Sequence, residues 1–195
     1  DRNDNQLKMK QLNRKFCNKD KKREIGHYYA SEIYSIEKGY LKPKDFFNNK
    51  AIDEESCQKI ADGVAFEDYL EKMFVGLGIE HKYNPRYELR INKEITITCK
   101  PDFEFEDYVI ETKFPHKSER YPDRNINEYL KESYQYQLEI EHRVTNKPVY
   151  IGKFVVPFDV KKIAFTPSKE RFEKIKRLIL QFHRDLKEYV KNNPL

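Results

Sequence analysis

Between Tyr87 and Lys113 the chain alternates apolar and polar residues in successive stretches, and this period-two pattern commits its middle to paired β-strands. Tyr87-Glu-Leu-Arg-Ile is the first stretch and Glu94-Ile-Thr-Ile-Thr-Cys the second. Phe103 and Phe105 then alternate with acids, and Tyr108-Val-Ile is a run of buried type. On either side the period becomes helical. Ile60, Val64, Leu70, Phe74 and Leu77 form a stripe over residues 53–77, with Asp53 as a candidate N-cap and Gly76 and Gly78 marking the end. Residues 126–144 return to helix, and Val149 to Val156 reads as a strong strand. Thr166 is expected to cap a final helix, about 167–191, with Pro167 at its first position. Its apolar residues Phe172, Ile175, Ile179, Phe182, Leu186 and Tyr189 fall three and four apart, which favours core packing over a dimer seam. The order is helix, three strands, helix, strand, helix. That predicts an α/β domain whose central mixed sheet of about four or more strands is flanked by helices. The first strands pair as hairpins and the last arrives through a helical crossover.

A chain of 195 residues without repeats, low-complexity runs or Gly/Pro/Ser linkers reads as one domain. We expect a polar, basic arm or helix over residues 1–27 and the domain over 28–195, beginning with short helices in 28–50. Charged residues make up 36%, but 13 Phe and 14 Tyr supply core material that a disordered chain would lack. The net charge of +5 permits a polyanionic partner without demanding one. Cys17, Cys57 and Cys99 are odd in number and form no C-x-x-C pair, which argues against a disulfide framework or a Cys-rich zinc site. A reduced, intracellular (cytoplasmic) protein is expected. The apolar stretch from Val149 to Phe158 is broken by Lys153 and is too short to span a bilayer, and no signal-peptide pattern opens the sequence. No Gly-rich phosphate loop suggests an ATPase, and nothing supports a Ser-His-Asp hydrolase.

The most informative segment runs from Lys100 to Phe114. With a turn centred between Glu106 and Asp107, Phe105 faces Tyr108, Phe103 faces Ile110, and Asp102 lies opposite Glu111. Cross-strand neighbours stand roughly 4.5–5.5 Å apart at Cβ. Lys113 shares the face of Glu111, so Asp102, Glu111 and Lys113 converge. Facing carboxylates require a proton or a cation between them. An all-oxygen site suits Mg²⁺ or Mn²⁺, and an adjacent ammonium can hold a water or stabilise charge. Metal, carboxylates and Lys together suit phosphodiester hydrolysis. The competing reading is a solvated acidic hairpin with a Lys salt bridge.

Glu67 falls on the apolar stripe of the 53–77 helix, where a carboxylate is costly unless paired or bound to a cation; the alternative places it at the stripe margin. After Lys113, Lys117, Arg120, Arg124 and Lys131 interleave with Tyr121, Tyr129, Tyr134 and Tyr136. Such a mixture suits nucleic-acid binding, with bases stacked and phosphates held. An exposed loop followed by a helix with core tyrosines explains it equally well. The five histidines do not cluster at ligand spacing.

Pro101-Asp102, eight residues, then Glu111-Thr112-Lys113 resembles the signature of the PD-(D/E)XK nuclease superfamily. Gly63-Val-Ala-Phe-Glu67 resembles the G-x-x-x-H/E element of its RecB-like and Cas4-like branch, with Glu67 where many relatives have His. Tyr134 and Gln137 resemble half of that branch's Q-x-x-x-Y element, whose terminal Tyr position holds Glu141 here. Tyr29-Ala-Ser-Glu-Ile resembles its entry motif. Small Lys-, Ile- and Tyr-rich members look like proteins of archaeal, spindle-shaped viruses, whose site of action would be the host cytoplasm. The resemblance implies a restriction-endonuclease-like core of order α-β-β-β-α-β and a divalent-metal-dependent nuclease acting on DNA. Asp102, Glu111, Glu67 and the carbonyl of Thr112 would hold Mg²⁺ or Mn²⁺. Lys113 would orient or deprotonate the attacking water, and Gln137 and Tyr134 would position the DNA backbone or Lys113. The cluster-binding cysteines of Cas4-like members are absent, so no iron–sulfur cluster is expected. A homodimer or higher homo-oligomer suits a small nuclease that cuts two strands. The departures at Glu67 and Glu141 leave a second reading, a catalytically idle module of the same fold that binds nucleic acid or a partner protein.

Overall fold

The alternating middle of the chain forms the strands it predicts, but they divide between two sheets. The computed structural model describes residues 23–48, 54–113, 132–155 and 159–194. Its elements are β1 (His27–Tyr29), α1 (Ile33–Glu37), α2 (Glu54–Gly76), β2 (Lys82–Tyr83), β3 (Tyr87–Arg90), β4 (Thr96–Cys99), β5 (Phe103–Glu104), β6 (Val109–Lys113), α3 (Glu132–Thr145), β7 (Val149–Val155), β8 (Asp159–Ala164) and α4 (Lys169–Asn192). Short 3₁₀ turns at Ala30–Glu32 and Pro43–Asp45 flank α1. One sheet has the order β1-β4-β3, and the larger one β2-β5-β6-β7-β8. β6 and β7 are parallel, joined through α3, while the β5–β6 and β7–β8 pairs are antiparallel. The larger sheet is therefore the mixed sheet that the element order predicts. No described helix is long and apolar enough to cross a membrane.

Two strands lie outside the sequence expectations. β1 occupies a stretch expected to begin a helical region, and its three residues pair in parallel with Thr96–Thr98. Gly26 delivers the chain to that pairing at φ +94, where an added Cβ would lie 2.2 Å from the Glu94 carbonyl oxygen; only glycine fits there. β8 is an edge strand of mixed sequence, Asp-Val-Lys-Lys-Ile-Ala, with little apolar signal.

The larger core packs the β1-β4-β3 sheet against α1, α3 and α4, around Tyr28, Ile33, Ile97, Ile140, Ile175, Ile179 and Leu186. Each of these aliphatic side chains is fully enclosed and contributes about 1.5–3 kcal/mol by leaving water. The three-four spacing of α4 is thus spent inside the core: Ile175, Ile179, Phe182 and Leu186 are buried. A smaller core under the larger sheet joins Val109, Leu138, Val149, Ile151, Ile163 and Phe165.

One helix boundary differs from expectation. Ser168, not Thr166, caps α4, because its hydroxyl accepts the Arg171 N–H at 3.2 Å; Pro167 therefore precedes the helix. α2 runs Glu54–Gly76, and Asp53 lies outside the described residues. Its stripe is only partly core. Leu70 is buried, whereas Ile60 and Leu77 are 42% and 66% exposed. α2 meets the larger sheet chiefly where Phe74 packs edge-on against Phe103 and Phe105. The expected start of α3 at residue 126 also lies outside the described residues.

α3 and α4 are tied by Glu139, which has no solvent exposure. One oxygen accepts two bonds from Arg143, at 3.0 and 2.9 Å, and the other accepts Arg171 at 3.0 Å and the Ser168 N–H at 2.9 Å. Every acceptor position is used, so the charge is compensated where it is buried. Replacing Glu139 by Ala leaves two guanidinium groups and the α4 N-terminus without their partner. We expect a loss of about 3–5 kcal/mol in urea unfolding followed by circular dichroism; a loss under about 1 kcal/mol would show that the network is not holding the helices together.

Candidate active site

The acidic hairpin has the register its sequence predicts. Phe103 pairs with Ile110 and Glu104 with Val109, and the Phe105 N–H donates to the Tyr108 carbonyl at 2.9 Å. The next rung places Asp102 opposite Glu111. Both are buried, at 8% and 5% exposure, in the middle of the molecule rather than on a solvated ribbon. Their side chains make different contacts. Asp102 Oδ2 accepts the Thr112 N–H at 2.6 Å and the Thr112 hydroxyl at 2.7 Å. Glu111 Oε1 accepts Lys113 Nζ at 2.6 Å, while Glu111 Oε2 is buried and meets no donor.

Lys113 is fixed on two sides, since its ammonium also lies 4.9 Å from the centre of the Tyr134 ring on α3. Burial alone would push the Lys113 pKa down, but Glu111 and Asp102 outweigh it and hold the ammonium charged. This geometry suits orientation and charge stabilisation better than proton abstraction.

α2 and the loop after β2 close the site from the other side. Glu67 is half-buried, receives a hydrogen bond from the Asn84 side chain, and has its pKa raised by burial and then by Glu111. Asn84 occupies the left-handed region at φ 47, which Asn tolerates better than most residues. Its N–H donates to the Asp102 carbonyl at 2.9 Å. Asn84 thereby ties the backbone of Asp102 to the carboxylate of Glu67, a role that no motif in the sequence announces.

Glu141 is the member that sequence reasoning set aside as a departure. It has no solvent exposure. Its Oε1 accepts Gln137 Nε2 at 2.9 Å, and its Oε2 meets no donor. Burial, then Glu111, push its carboxyl well above the usual range. Burial, then Glu111 and Glu67, do the same to Asp102. The Cys99 thiol is also pushed up, by burial and then by Glu141 and Glu111. Helical spacing offered a usable signal: Glu141 stands one turn beyond Gln137 and so shares its face.

The structure thus brings Asp102, Glu111, Lys113 and Glu67 together, with Thr112, Tyr134 and Gln137 around them. The remaining predicted contacts, Lys117, Arg120, Arg124 and Lys131, lie outside the described residues. Tyr136 belongs to the larger core, with its hydroxyl bonded to Glu37 at 2.7 Å. As the side chains stand, no three carboxylate, imidazole or thiol groups among the described residues form a ready metal shell. Thr112 holds one oxygen of Asp102, and Lys113 holds one oxygen of Glu111. The chemistry of the donors nevertheless fits a hard divalent cation: oxygen atoms only, two of them buried and without a donor, in a place where burial and then Glu111 raise the pKa of Asp102 and of Glu141.

No protein-family model matches the sequence, and no curated protein is significantly similar to it. Several solved structures share the fold. The crystal structure of SSO0001 superimposes with a TM-score of 0.61 at 14% identity, over 89% of this chain and 85% of that one. An alkaline exonuclease from Laribacter hongkongensis, LHK-Exo, gives 0.59 at 12% identity, over 86% and 93% of the two chains; it has also been solved in complex with dAMP. A phage-related exonuclease from Haemophilus somnus 129PT gives 0.50 at 15% identity, over 85% and 96%. The chain shares its fold with these proteins, among them two exonucleases.

The raised carboxyl pKa values have a consequence for stability. The folded protein keeps protons on Asp102, Glu67 and Glu141 that the unfolded chain releases near pH 4, so stability falls as pH rises above about 4 through the raised values. Glu104 and Glu37 act oppositely. Burial raises both, but Lys147 and Tyr87 for Glu104, and Lys174 and Tyr136 for Glu37, hold them low. Their contribution is lost only below about pH 4. In EDTA, the melting temperature is expected to be higher at pH 5 than at pH 8, with a shallower fall in Asp102→Asn. A melting temperature that climbs over this interval would contradict the buried repulsion.

Proposed function

We propose that this protein is a divalent-metal-dependent nuclease that hydrolyses DNA phosphodiester bonds. The observation that carries the reading is the pair Glu111 and Lys113: a buried carboxylate with one oxygen on an ammonium and the other without a donor, opposite Asp102. The shared fold with two exonucleases supports it. The resemblance of Pro101-Asp102 and Glu111-Thr112-Lys113 to the PD-(D/E)XK signature points the same way.

In this reading Asp102, Glu111 and Glu67, with the Thr112 carbonyl, would hold Mg²⁺ or Mn²⁺. Such a cation, when bound, lowers the pKa of a water and polarises a phosphoryl oxygen. The chain's own residues do the rest. Thr112 fixes Asp102 from its backbone and its hydroxyl. Lys113, steadied by the Tyr134 ring, holds a positive charge where negative charge develops on the phosphate. Gln137, on the same helix, is held by Glu141 facing the site. Lys117, Arg120, Arg124 and Lys131 would carry the DNA backbone, because they follow the Glu111–Lys113 strand directly and bring phosphate-binding charge.

The idle-module reading draws on the departures at Glu67 and Glu141, and on donors that, among the described residues, do not already form a metal shell. A cleavage assay on labelled single-stranded, duplex and four-way-junction DNA separates the two. With Mg²⁺ or Mn²⁺ the wild type is expected to cut and with EDTA it is not. Glu111→Ala should abolish cutting, and Lys113→Ala should lower it about 10²–10³-fold. Salt-sensitive DNA binding with no cutting under any condition would establish the idle module instead.

A further inference from the structure

Of the three buried side-chain nitrogen or oxygen atoms without a hydrogen-bond partner among the described residues, two belong to one place: Glu111 Oε2 and Glu141 Oε2. The other oxygen of each carboxylate is engaged, Glu111 Oε1 by Lys113 and Glu141 Oε1 by Gln137. β6 and α3 thus each present one bare oxygen to the interior, and the two carboxylates repel each other. A divalent cation displaces the protons of its carboxylate ligands; with Glu67, Asp102, Glu111 and Glu141 all ionised against one ammonium among the described residues of the site, Lys113, three formal negative charges remain. One divalent cation does not cancel that. Two cations, with the single negative charge of a phosphodiester, bring the site to neutrality.

We infer that Glu141 is a metal ligand and that the site holds a second, inner divalent cation between Glu111 and Glu141, beside the outer one held by Asp102, Glu111 and Glu67. Glu111 bridges the two. Two carboxylates with waters or carbonyls are an ordinary shell for Mg²⁺ or Mn²⁺. The inference rests on the metal-dependent reading above and adds a ligand, a helix and a second cation to it. It also gives the departure at Glu141 a purpose, since a carboxylate there makes α3 part of the metal centre.

The test counts bound Mn²⁺ on the full chain, by isothermal titration calorimetry and by electron paramagnetic resonance, without DNA. The wild type is expected to take two equivalents, with spectra broadened by coupling between ions about 3.5–4 Å apart. Glu141→Gln should take one, and Asp102→Asn should lose the other. Glu141→Asp keeps the charge and should keep both sites, the inner one weakened about 10–100-fold. It also serves if Glu141→Gln does not fold. A single equivalent in the wild type, bound unchanged by Glu141→Gln or Glu141→Asp, would overturn the inference. Two bound Mn²⁺ without DNA cleavage would keep the inner position and overturn the nuclease reading. Cleavage with one Mn²⁺, indifferent to Glu141, would do the reverse.

Discussion

One turn of α3 is enclosed on every side. Leu138, Glu139, Ile140 and Glu141 are consecutive, and none has any solvent exposure. A helix normally gives such a turn a wet face; here each residue enters a different neighbourhood. Leu138 joins the smaller core and Ile140 the larger one. Glu139 gathers two arginines and the start of α4, and Glu141 enters the acidic site. Both cores, the start of α4 and the acidic site meet at this turn. The two glutamates illustrate opposite solutions to the same burial: one has a full set of donors, the other lacks a donor on one oxygen.

That contrast separates scaffold from site. A buried carboxylate with four donors contributes cohesion because neither of its oxygens is left without a donor. A cluster in which carboxylates outnumber cations does the reverse, lifting the proton affinity of Asp102 and Glu141 at the expense of the metal-free fold. The strain sits on β5, β6, α2 and α3, all packed by apolar or aromatic contacts. Phe74 against Phe103 and Phe105 holds α2 in place. Asn84 fixes the loop that closes the site.

The parts of this arrangement that were legible in the sequence are those set by local pattern. The hairpin register follows from the alternation of Phe103, Phe105 and Ile110 about a short turn, and with it came Asp102, Glu111 and Lys113. The stripe of α4 was legible because its spacing alone decides which face is buried. What was hidden depends on residues far apart. β1 is too short to show a period, and its partner β4 stands well over 60 residues along the chain. The split into two sheets could not be read from strands that look alike in isolation. Ser168 competes with Thr166 as a cap, and the choice is settled by Glu139 on another helix receiving the Ser168 N–H. Asn84 and Glu141 acquire their roles only after α2, β6 and α3 have met.

The Tyr28 hydroxyl lies 2.8 Å from Nδ1 of His183, and the ring of Tyr28 packs edge-on against Phe182. The first strand and the last helix therefore share one interior. On a ribosome, the N-terminal strand is made long before α4 exists to cover it. The larger core cannot close until the segment around Leu186 has left the exit tunnel. Closure of this core therefore waits on α4, and β1 lacks its cover until that helix has emerged.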